Sequence, residues 1–255
     1  MSYTPSHEFL IEVSKGNVPK HSIVNKFGEN NAVPNGSWEL VANLSEPTIF
    51  KSAPAAVRIK AGDAADDASG AGAQEITIQG IDNNLNRVTE AVATAGASAS
   101  AATSTLFWRQ DRAWVSKAGT YATPYNTGVV NIEPAGGGDD LLRIGAGEGQ
   151  TQHTMYSLAA GERGFVLNAY VSSSGKEVSD FRMYHRGDFH VTTAPVKSRR
   201  LIHEWNGVQG GQDFNPPGSA RFGGLSGPRD VWIEAYGDGG VTKATAGFSL
   251  LIIQD

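Results

Sequence analysis

Apolar and polar side chains alternate at period two along most of this chain. Val57 and Ile59 flank Arg58, and Ile76 and Ile78 flank Thr77. That spacing belongs to half-buried strands rather than to helix faces. Residues 76–81 and 87–93 are predicted to pair across Asp82-Asn83-Asn84-Leu85-Asn86, and residues 38–44, 105–116 and 127–133 read as further strands. In the second half the pattern predicts strands near 153–158, 164–171, 180–186, 196–204, 230–236 and 246–253. The last is apolar on both faces, as a central or covered strand would be. Residues 91–103 are the ambiguous stretch. Their alanines favour a helix, but Gly96 and the Ser and Thr residues erode it, so the reading is strand, loop, strand.

No amphipathic helix lies between these segments, so antiparallel pairing is expected rather than βαβ units. The expected fold is all-β: two antiparallel β-sandwich, jelly-roll-like domains with an extended N-terminal arm. The arm covers residues 1–36, the first domain 37–134 and the second 139–255. Pro134-Ala135-Gly136-Gly137-Gly138-Asp139-Asp140 is the expected boundary, short and with nothing to bury. In the arm, Phe9, Ile11 and Val13 alternate, and Ile23, Val24 and Phe27 form a second apolar cluster. Two readings stay open there: an arm docking on another subunit, or a strand tucked onto its own domain.

Composition narrows the function classes. The 255 residues, 40% hydrophobic, suffice for a substantial core, and 31 Gly with 11 Pro suit a turn-rich β protein. A formal net charge of -5 argues against coating a nucleic-acid backbone. Without cysteine there are no disulfides and no thiolate chemistry. The start Met1-Ser2-Tyr3-Thr4-Pro5 does not read as a signal peptide, and no apolar run is long enough for a membrane-spanning helix.

Candidate chemistry is sparse. Asp63, Asp66 and Asp67 lack the spacing of a dedicated calcium loop. His153, His185, His190 and His203 lack the close pairing of a metal site. Asp230, Glu162, Glu204 and Glu234 would be the acids of a glycoside hydrolase, but any β protein of this size has several strand acids. Gly218-Ser219-Ala220-Arg221 lacks the second glycine of a nucleophile elbow. No catalytic, cofactor or metal site is therefore expected. Arginines beside Trp108 and Trp114 and the basic Lys197-Ser198-Arg199-Arg200 suit contact surfaces better than base stacking, while the long loop from Trp205 to Pro217 would be either an aromatic platform for sugars or a protein partner, or a loop packed onto its own sandwich. The expected interface residues are Phe9, Ile23, Phe27, Trp108, Arg112, Trp114, Trp205 and Phe214.

The segments Ser14–Gly28, Ala61–Ala73 and Ile78-Gln79-Gly80-Ile81-Asp82 resemble a family of tailed-bacteriophage virion proteins. So do Arg112-Ala113-Trp114-Val115 and the closing Ala246-Gly247-Phe248 with Leu250-Leu251. The resemblance implies a non-enzymatic capsid decoration or cement protein, often trimeric. It would be made in the host cytoplasm and bound to the major capsid protein on the outer surface of the virion. It brings no cofactor, and neither nucleic acid nor membrane is an expected partner. The alternative is a tail- or fibre-associated protein that attaches to host glycans; a depolymerase-like enzyme is the third reading.

Overall fold

The computed structural model describes residues 7–44, 50–121, 125–174, 178–216, 224–238 and 242–255. The alternation read from sequence becomes burial directly. In β4 (Ala73–Asp82) Ile76 and Ile78 are fully buried, while Thr77 and Gln79 on the other side are half-exposed.

Among the described residues the strands form four antiparallel sheets. The first orders β1 (His21–Val33), β16 (Thr242–Gln254), β10 (Glu162–Ser174) and β13 (Gly210–Phe214), with β14 (Leu225–Ser226) also on β10. The second orders β12 (Arg200–Val208), β11 (Val178–Gly187), β15 (Arg229–Asp238) and β2 (Trp38–Leu40), with β9 (Met155–Leu158) also on β15. Val166, Phe248 and Leu250 from the first sheet share a core with Phe181, Met183 and Ile233 from the second. The third sheet is β3 (Val57–Ile59), β7 (Val130–Pro134) and β8 (Leu142–Ile144); the fourth is β5 (Arg87–Ala93), β4 and β6 (Phe107–Ala118). These two enclose another core around Ile76, Phe107, Ile132 and Ile144.

The chain is thus nearly all β and antiparallel, in a four-blade, propeller-like arrangement that is not clearly two sandwich domains. The sheets do not follow the expected bounds, because the N-terminal strands serve the C-terminal half. β1, from the stretch read as an arm, pairs with β16 from His21 opposite Ile253 to Val33 opposite Thr242. β2 pairs with β15, so Leu40 lies opposite Glu234. The expected linker at 134–140 is the turn of a hairpin, since β7 pairs with β8 and Leu141 N–H donates to Ile132 O.

Three local readings also change. Phe9, Ile11 and Val13 lie in α1 (His7–Ser14), where Phe9, Leu10 and Val13 share one face at helical spacing and Ile11 points to solvent. Gly16, at φ +76°, ends that helix with its N–H on Val13 O. The expected loop from Trp205 is largely strand, because β12 and β13 place the chain in one sheet and then the other. Residues 94–106 carry no strand. The motif Gly218–Arg221 lies outside the described residues.

Candidate functional site

Where the two cores meet, the chain buries charge. Arg87 opens β5 and reaches across the junction. Its Nε and Nη2 donate to Glu162 Oε1 and Oε2 at 2.8 and 2.9 Å, its Nη1 to Asp111 Oδ2 at 2.9 Å, and Nη2 again to Ser157 O at 2.5 Å. The guanidinium also lies 4.4 Å from the centre of the Tyr156 ring. Arg109, only 1% exposed, donates from Nε and Nη2 to Asp230, each at 3.2 Å. Ser157 joins the two clusters: its N–H donates to Asp111 Oδ1 and its hydroxyl to Asp230 Oδ1, both at 2.9 Å.

Burial sets the proton affinities in this seam. It pulls the Arg87 guanidinium down, but the hydrogen bond to Glu162 and the charge of Asp111 outweigh it and leave the pKa raised. It pushes Asp111 up against the pull of Arg87. Lys26, on β1, is brought down to about 7 by burial, with Asp111 opposing. Its Nζ donates to Asp111 O and lies 3.5 Å from His153 Nε2. Burial, then the neighbouring Lys26 charge, holds His153 well below the ordinary histidine range.

Above the seam lies a hollow of about 360 Å³, lined among others by Asn25, Phe27, Arg112, Gln150 and Tyr170. Phe27 on β1 and Tyr170 on β10 both sit opposite Gly247 of β16, so the two rings share one sheet face with a glycine between them. A Cβ at Gly247 would come within 2.6 Å of the Tyr170 ring, so glycine lets that ring lie down on the strand. Phe27 and Tyr170 are 39% and 38% exposed. Arg112 is tethered by Nη2 to Asn25 O at 2.9 Å. Apolar ring faces beside planar hydrogen-bonding groups can take up a sugar ring or a polar protein surface.

The structure therefore brings Phe27 and Arg112 together, sets Trp205 edge-on to Phe214 elsewhere, and scatters the other expected residues. Ile23, half-buried, lies opposite Leu251 in the β1–β16 pair. Phe9 meets the His21 ring edge-on at 5.8 Å. Trp108 packs against Ile81, Ala159 and Phe189, while Trp114 bridges to Gln150. Trp205 is 3% exposed and sits in the first core, and Phe214 packs against that core while stacking on His203 at 4.0 Å. Neither forms the open platform that a loop would have offered.

Sequence reasoning missed Lys26 and Tyr170. Lys26 falls at a core-facing position of a strand, a signal visible only once β1 is recognised as one. Asp66, weighed as a calcium ligand, instead accepts the backbone N–H groups of Ala73, Thr127 and Gly128, each at 2.8 Å, and so ties the acidic loop to the segment at 127–128. Among the described residues no group of three His, Asp or Glu is placed to hold a metal ion. The acids weighed for hydrolysis are each held by arginine: Glu162 by Arg87, Asp230 by Arg109, Glu204 by Arg182 and Glu234 by Arg199.

No family model, curated protein or solved structure matches the chain.

Proposed function

We propose that this chain is a structural protein of a tailed-phage particle, a capsid decoration or cement protein that binds the major capsid protein, as a homotrimer, on the outer surface. The observation that carries the reading is the buried seam. Each acid that hydrolysis would need is held by an arginine, and two of these pairs, Arg87–Glu162 and Arg109–Asp230, tie the two cores together, while apolar groups such as Ile11, Phe27, Leu106 and Leu201 stay on the outside. A stiff body with apolar surface suits a part that acts by being held against its neighbours. Each buried Å² of apolar surface would contribute roughly 25 cal/mol before ordering costs, and many identical contacts add up on a closed shell.

A second reading, host attachment from the tail or a fibre, is favoured by one feature: the Phe27–Tyr170 hollow with Arg112 and Gln150 on its rim. Quantifying the chain in purified particles separates the two. Hundreds of copies per particle are expected of a cement protein. A few to a dozen copies, with loss of glycan binding in Tyr170→Ala, would transfer the role to the tail. Particles without the chain would overturn both.

A further inference from the structure

We propose that the concavity between β11, β12 and β15 is a binding site for a tetrahedral oxyanion, a phosphate or sulfate group. The site is independent of the particle role proposed above. It is about 280 Å³ and is lined by His185, Gly187, Lys197, Ser198, Arg200 and Arg229. In a chain of net charge -5, three cations here share one wall.

Arg229 is already oriented. Its Nε donates to Ser226 O at 2.9 Å and its Nη1 to His185 Nδ1 at 2.6 Å. That second bond needs a neutral imidazole with its proton on Nε2, and burial with the Arg229 charge holds His185 down to about 4. The Nη2 edge is turned towards Gly187, where a Cβ would stand 3.4 Å away and where glycine leaves the space open. Asp188, beside this wall, pairs with Lys197 at 2.6 Å. Arg200 and Arg229 have no carboxylate within the 4.0 Å of an ion pair among the described residues. The charge of Asp188 also reaches Arg229, yet two guanidinium groups without an ion pair, one of them half-buried and held in place, attract an anion rather than a neutral group. Ser198 adds a hydroxyl donor, and the volume leaves room for a sugar-sized substituent on the anion.

Titrating the full chain at constant ionic strength with inorganic phosphate, sulfate and glucose 6-phosphate tests this, with sodium acetate as the control anion. One saturable site per chain is expected, weakened tenfold or more in both Arg229→Gln and Arg200→Gln and unchanged in Lys117→Gln. Arg200 is exposed, so its variant reports on binding even if Arg229→Gln is poorly folded. Either ranking of glucose 6-phosphate against free phosphate supports the site and decides whether it takes the ester or the free ion. Absence of saturation, equal binding of acetate, or binding unaffected in Arg200→Gln would overturn it.

Discussion

Lys26 shows what one residue does to this fold. Its amine sits in the seam with its pKa lowered to about 7, so between about pH 7 and the ordinary lysine range the unfolded chain holds a proton that the folded chain has lost. Unfolding then takes up a proton, and stability rises with pH across that window. Urea denaturation at pH 7, 8 and 9 is expected to give an increasing free energy of unfolding, with a flatter profile in Lys26→Met. A wild-type profile that is flat or falls over those three points would contradict the burial assigned to this amine. Tyr156 works the other way at higher pH: burial raises its pKa, so ionisation in the unfolded chain favours unfolding above the ordinary tyrosine range.

Among elements, β1 carries the most consequence. It pairs with β16 over nearly its full length, and Val33 enters the first core. Removing residues 1–33 is therefore expected to uncover the edge of an apolar strand and give a protein that aggregates on size-exclusion chromatography. Removing residues 1–16 deletes α1 and leaves the sheets paired, so that product is expected to elute as the intact chain does. A soluble, folded product from the longer truncation would refute the part given to β1.

The strands of the two cores were legible because alternation of the Ile76–Ile78 kind depends only on local period. β1 was harder to see as a strand of the C-terminal half. Lys26, Gly28 and Asn30 occupy its buried positions, and a polar inner face hides a strand from a hydrophobicity reading. The helix of Phe9 and Val13 was hidden because three apolar residues at alternate positions fit a strand equally well. In the candidate site, Phe27 and Arg112 could be singled out by residue type. Their neighbour Tyr170 could not, since its place beside Phe27 depends on pairing between strands far apart in the chain.

For the whole molecule, the seam couples the two cores. Asp230 is fully buried between Arg109 and Ser157, and removing one partner of a buried pair leaves the other charge without compensation. Asp230→Ala is expected to lower stability by about 3–5 kcal/mol, and Arg109→Met with Asp230→Leu to recover most of that loss. Calorimetry on the single variant should also show whether the cores still melt together; recovery no better than the single change would argue against an uncompensated charge. The pairing of β1 with β16 has a further consequence during synthesis. His21 emerges from the ribosome long before Ile253, its partner in the pair, and must wait for it before the sheet can close. The nascent chain therefore carries an unsatisfied strand until β16 has been made.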